Sequence, residues 1–203
     1  MKLIGRNLSP YTRKVAIWCA LQGRTIDREE LATTDPAAME ALAAYHPGVR
    51  VPALVLDDGD VLVDSAAICD FLDDTGSPRL VPETGLARRQ CLKVMGLAHA
   101  TTEKIVALVY EKDRRPEAYV WDDWIARLTR QVSGGLDALE AAATGDFFGG
   151  DAPNGADIAT VCAYQMAEVT QPFILEKGYP HLSALADRAM AIAVFETTYP
   201  SVG

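Results

Sequence analysis

Residues 9–15 read Ser-Pro-Tyr-Thr-Arg-Lys-Val, and they join a short apolar strand, Lys2–Gly5, to an amphipathic helix. Ser9 is a good N-cap and Pro10 a good first helical residue. Val15, Trp18, Cys19 and Gln22 then recur at helical spacing as far as Gly23. A dithiol redox turn would carry sulfur at positions 9 and 12. Here both positions carry hydroxyls. A helix N-terminus holds about half a positive charge and several unpaired N–H groups, so this turn suits an anion, including a thiolate brought in by a ligand.

Working outward from this turn, Thr25–Leu31 reads as a charged edge strand. Asp35-Pro36 opens a helix that runs through Tyr45, and His46-Pro47-Gly48 breaks it. Pro52–Leu56 reads as a buried strand, Asp57-Asp58-Gly59-Asp60 as a hairpin turn and Val61–Val63 as the return strand. Asp64-Ser65 caps a helix through Leu72. The order is therefore β-α-β-α-β-β-α, which predicts a mixed sheet flanked by helices. Residues 77–85, rich in proline and glycine, read as a linker between a domain over 1–76 and a second over 86–203.

The second domain reads as all-helical. Cys91, Met95, Ala98, Thr102, Ile105 and Val109 form one stripe of a long helix. Pro116 is expected to start another, with Trp121, Trp124, Ile125, Leu128, Val132 and Leu139 facing inward. Asn154-Gly155-Ala156-Asp157 reads as a capping box. Pro180 begins what is expected to be the last helix.

Composition narrows the function classes. The chain of 203 residues is 49% hydrophobic and 23% charged, which provides for a packed core. Its net charge of −9 argues against nucleic acid as a partner. Residues 1–24 nonetheless carry five cations and no acid, so positive charge gathers around Ser9. No apolar run approaches the ~18 residues of a membrane span, and no signal peptide is legible, so a cytoplasmic protein without a membrane partner is expected. The four cysteines lie far apart with no C-x-x-C, and three scattered histidines offer no metal spacing; no metal site is expected.

Three further features carry chemistry. Pro52 opens a buried strand, and a cis bond after Val51 would turn the Val51 backbone outward toward an extended ligand. Asp64-Ser65 offers a carboxylate, a hydroxyl and backbone N–H groups, a set that can hold the ammonium and carboxylate of an amino-acid end. His99 on the long helix is an ordinary helix-face histidine that could also reach a cleft.

Taken in order, Ser9–Val15, His46-Pro47-Gly48-Val49-Arg50-Val51-Pro52-Ala53-Leu54, Val63–Ile68 and Asn154–Ala159 resemble the serine-type, bacterial-like members of the cytosolic glutathione transferase family. The resemblance implies a thioredoxin-like N-terminal domain, a C-terminal helical bundle and a homodimer. It also implies that glutathione, as co-substrate, binds the first domain and that its thiolate attacks a small apolar electrophile. Ser9 matches the hydroxyl that donates to the thiolate, with Tyr11 as the alternative donor. Val51 before Pro52 matches the backbone that pairs with the cysteinyl residue. Asp64 and Ser65 match the γ-glutamyl contacts, and Arg50 lies where the family often has a basic residue near the glycyl carboxylate. His46 and Val49 replace the Asn and Gly usual in that loop. A glutathione-dependent isomerase or dehalogenase, and a binding or regulatory module without turnover, are the alternative functions.

Overall fold

Strand β1 (Lys2–Ile4) is the hub of the N-terminal sheet. It pairs in parallel with β2 (Asp27–Glu29) and antiparallel with β3 (Ala53–Val55), which pairs antiparallel with β4 (Val61–Val63). The strand order is β2-β1-β3-β4. Helices α1 (Pro10–Leu21), α2 (Pro36–Ala43) and α3 (Ser65–Thr75) connect or follow the strands. This is the expected βαβαββα order, and it is thioredoxin-like. The coordinates are a computed structural model that describes residues 1–200.

Alternation along the strands assigns the two faces of the sheet. Ile4 and Ala53 pack with Leu42 of α2. Leu3 and Leu54, paired across β1 and β3, point to the opposite face, where α1 and α3 pack together. Val15, Ile17, Trp18, Ile68 and Leu72 are all completely buried.

The expected strand over 25–31 shortens to three residues. β2 has a neighbour on one side only, and that neighbour offers three rungs before Gly5 leaves the extended region at φ 123°.

The chain divides into two units. The first takes Met1–Leu80 and also the C-terminal segment from Ala193, which includes helix α8 (Ala193–Thr197). Arg13 explains the attachment. Its guanidinium is buried, donates to the Phe195 carbonyl at 3.0 Å and the Thr198 hydroxyl at 3.4 Å, and lies 5.9 Å from the Tyr199 ring.

The second unit contains α4 (Gly85–Val109), α5 (Asp122–Ala142), α6 (Gly155–Thr170) and α7 (Pro180–Met190). Residues 155–167 of α6 are buried on every side, as a central helix requires. Ile105, Leu108, Leu128, Val132, Leu136, Leu139, Ala167 and Leu182 fill the core around it. The capping box forms as expected: Asn154 Oδ1 accepts from Ala156 and Asp157, and Asp157 Oδ2 accepts from the Asn154 N–H at 2.8 Å.

Two expectations need correction here. Pro116 does not start α5. A wide π-type turn over Tyr110–Arg114 ends α4, a short 3-10 turn follows Pro116, and α5 begins at Asp122, where two acids meet the positive helix end. Trp121 therefore precedes the helix and is exposed instead of facing inward, stacked at 6.4 Å on Trp124. Nor is the helix from Pro180 the last, since α8 follows it.

Candidate functional site

The register of the sheet aligns three loops that are far apart in sequence. Ile4 pairs with Ala53, and Ala53 pairs with Val63. One step further along each strand, Gly5, Pro52 and Asp64 stand side by side at one end of the sheet. Adjacent strands lie about 4.8 Å apart, so the row spans about 10 Å, the length of an extended tripeptide.

The first loop leads from β1 to α1. Gly5 is a glycine for two reasons. Its φ is +123°, and a Cβ there would stand 2.6 Å from Thr12 Oγ1 and 2.9 Å from Val51 Cβ. Gly5 thus packs closely against both Thr12, in the first turn of α1, and Val51. The Ser9 N–H then donates to the Arg6 carbonyl at 3.1 Å, closing the turn. Ser9 is the N-cap of α1, and its Oγ accepts from the Thr12 N–H at 3.3 Å. That bond uses a lone pair. The hydroxyl proton has no acceptor among the described residues and is available to a ligand. Tyr11 follows in the first turn and is half-buried. Thr12 is completely buried, and its hydroxyl lacks a hydrogen-bond partner among the described residues.

The second loop, 46–52, carries the departures noted in the sequence. His46 Nδ1 accepts from the Gly48 N–H at 2.9 Å, the local role an Asn would play. Val49 adopts φ 50°, a left-handed conformation unusual for a β-branched residue. The glycine-like geometry of this loop is thus kept without the glycine. The Val51–Pro52 bond is cis. Arg50 is exposed and makes no hydrogen bond or ion pair among the described residues.

The third loop turns from β4 into α3. Asp64 has φ 68°, and its Oδ1 accepts from the Ala66 N–H at 2.8 Å. Its carboxylate is otherwise exposed, while Ser65 is buried. Asp tolerates the left-handed region better than most residues.

Ser9, Val51, Pro52, Asp64 and Ser65 thus belong to one end of the first unit. His99 lies half-buried on α4 of the second unit. Sequence reasoning missed Gly5 and Arg28, a β2 residue that donates to the Gly5 carbonyl. A glycine directly after a strand was the one available signal, because the partners of Arg28 lie 23 and 21 positions away.

All four cysteines are buried, and no disulfide joins them. Burial pushes the Cys19 thiol up to about 11, against the opposing pull of Arg24 and Arg28. No cluster of His, Cys, Asp or Glu suited to a metal ion occurs among the described residues. Among these residues, too, no helix is long and apolar enough to cross a membrane.

Comparison with known proteins bears on the family and the fold. The family model described as glutathione S-transferase, N-terminal domain, matches residues 8–75, and that described as glutathione S-transferase, C-terminal domain, matches residues 122–188. A curated relative, the uncharacterized GST-like protein YibF of Escherichia coli (strain K12), is 27% identical over 98% of both chains. Two solved structures are similar over nearly their whole length. One is a glutathione S-transferase of Methylobacterium radiotolerans in complex with glutathione sulfonate, at TM-score 0.91 and 26% identity, covering 100% of this chain and 95% of that one. The other is a glutathione S-transferase of Methylobacillus flagellatus with GSH bound, at TM-score 0.89 and 29% identity, covering 98% and 99%.

Proposed function

Since the chain belongs to the glutathione S-transferase family, we propose that it binds glutathione across the row Gly5–Pro52–Asp64 and activates the thiol for attack on a small apolar electrophile. The observation that carries this reading is Ser9: an N-cap hydroxyl with an uncommitted proton, at a helix start that packs on Gly5, which also meets Val51. Glutathione lies extended in this reading. Its γ-glutamyl end takes Asp64 and Ser65, its cysteinyl backbone pairs with Val51, and its sulfur lies at Ser9, with Arg50 toward the glycyl end. Cytoplasmic location and assembly with a second copy of the chain belong to the same reading.

The energetics are sufficient without a general base. A free thiol has a pKa of about 8.5, and lowering it by roughly two units needs about 2.7 kcal/mol. A helix N-terminus supplies about 0.3–2 kcal/mol, and a hydrogen bond to a charged group about 1.5–3. Ser9 and the start of α1 together meet the requirement. The thiolate then displaces a leaving group from the electrophile or adds to it, forming a carbon–sulfur bond.

The test is retention on immobilised glutathione followed by conjugation assays with a panel of apolar electrophiles. Retention with turnover that falls in Ser9→Ala supports the reading. Retention without turnover leaves a glutathione-binding module, and no retention removes glutathione altogether.

A further inference from the structure

Arg28 is a cation on edge strand β2 whose side chain crosses to the loop that delivers Ser9. Its Nη2 donates to the Gly5 carbonyl at 3.1 Å and to Asn7 Oδ1 at 2.8 Å. Its Nε is buried without a partner, and no carboxylate lies within ion-pair distance among the described residues. Glu30 and the Cys19 thiol are the titratable groups that act on it electrostatically. Arg28 is half-buried, and drawing part of a guanidinium out of water without a counter-ion carries a desolvation cost. What the arrangement does achieve is to grip the loop at two points. Gly5 begins the loop, Asn7 is its middle, and Ser9 ends it with an N–H bonded back to Arg6.

The grip also orients Asn7. A guanidinium only donates, so the amide atom that faces it is the oxygen. The Asn7 backbone is thereby held from its side chain, two residues before the N-cap.

We propose that Arg28 is a positioning residue for Ser9: by clamping Gly5 and Asn7 it sets where the Ser9 hydroxyl and the first turn of α1 stand relative to the bound thiolate. The inference rests on the glutathione reading above. Arg28 touches no reacting atom in it; it acts through the loop.

The experiment follows the pKa of the bound glutathione thiol by thiolate absorbance in the wild-type chain, in Arg28→Met, in Asn7→Ala and in the double variant. Thermal unfolding of each is measured in parallel. Either single variant is expected to raise the thiol pKa by about half a unit to one unit, a roughly three- to tenfold loss of thiolate below the pKa. The double variant is expected to shift no further than the larger single, because both changes release the same clamp. Wild-type chain that binds no glutathione overturns the functional reading and this proposal with it. Wild-type chain that binds glutathione, with variants that lose stability but keep the wild-type thiol pKa, overturns the proposal alone. Fully additive shifts overturn it too, since the two residues would then act separately. If Arg28→Met does not fold, Asn7→Ala, a truncation in a half-exposed loop, decides the outcome by the same shift or its absence.

Discussion

Gly5 and Val51 approach so closely that a Cβ on the glycine would lie 2.9 Å from the Cβ of the valine. Forty-six positions separate them in the chain. Their contact is the joint between the Ser9 turn and the strand that Pro52 opens.

Gly5→Ala tests that joint. The added methyl meets Thr12 Oγ1 at 2.6 Å as well as Val51, and φ +123° is unfavourable for any side chain. A cost of about 2–4 kcal/mol is expected, combining overpacking with backbone strain. Denaturant unfolding measures it. A loss below about 0.5 kcal/mol would mean that the loop yields freely.

Ser9→Ala removes a cap and, in the proposed glutathione reading, a thiolate donor as well. The cap bond to Thr12 is worth about 1 kcal/mol of stability. The bound thiol pKa is expected to rise by about one to two units, since one hydrogen bond to a charge is lost. Tyr11→Phe, measured alongside, is expected to leave that pKa unchanged. The reverse pattern would assign the donor to Tyr11.

Asp64 separates charge from conformation. Asp64→Asn keeps a residue tolerant of φ 68° and an oxygen for the Ala66 N–H. It is expected to retain stability yet weaken glutathione binding in calorimetric titration, because the ligand ammonium loses its anion. Asp64→Ala is expected to weaken binding equally and also cost about 1 kcal/mol of helix cap. Wild-type affinity in Asp64→Asn would remove the γ-glutamyl assignment.

The cysteines are expected to be silent in the folded chain. Thiol-reactive dye should label none of the four at neutral pH and all four after unfolding. Burial and the raised Cys19 pKa both oppose thiolate formation. Disulfide reduction at the rate of a dithiol protein would contradict this directly.

Acid stability is expected to depend on Glu29. Lys2 Nζ donates to Glu29 Oε2 at 2.6 Å and Tyr45 adds a second bond at 3.0 Å, holding the carboxyl below its ordinary range. A depressed carboxyl stabilises the fold above its unfolded pKa of about 4.3, and that contribution disappears as pH falls through the lower folded value. Glu29→Gln should therefore flatten the decline of stability across this acid range. High salt should weaken the effect, since the pair is partly exposed. Parallel wild-type and variant profiles would exclude the pair as a contributor.

What the sequence determined by itself is local. Ser9 before Pro10 marks the start of α1, Asn154 and Asp157 mark the start of α6, and Val61–Val63 follows its turn at the expected place. Caps, prolines and hydrophobic spacing act within a few residues, so their consequences are legible in a single chain. The tertiary structure decided what depends on distant partners. The register that sets Gly5, Pro52 and Asp64 in one row comes from backbone pairing across three strands, and a slip of one residue would have reversed every face. Arg28 reads as an ordinary edge-strand charge until its reach to Gly5 and Asn7 is seen. The segment from Ala193 joins the first unit, where Arg13 donates to the carbonyl of Phe195, 182 positions further along the chain. Trp121 faces outward because helix α5 starts one residue after it, a boundary set by the π-type turn that ends α4. For the row, for Arg28 and for Arg13 the deciding partner is remote in sequence; for Trp121 it lies in a neighbouring turn whose π-type geometry no spacing rule predicts.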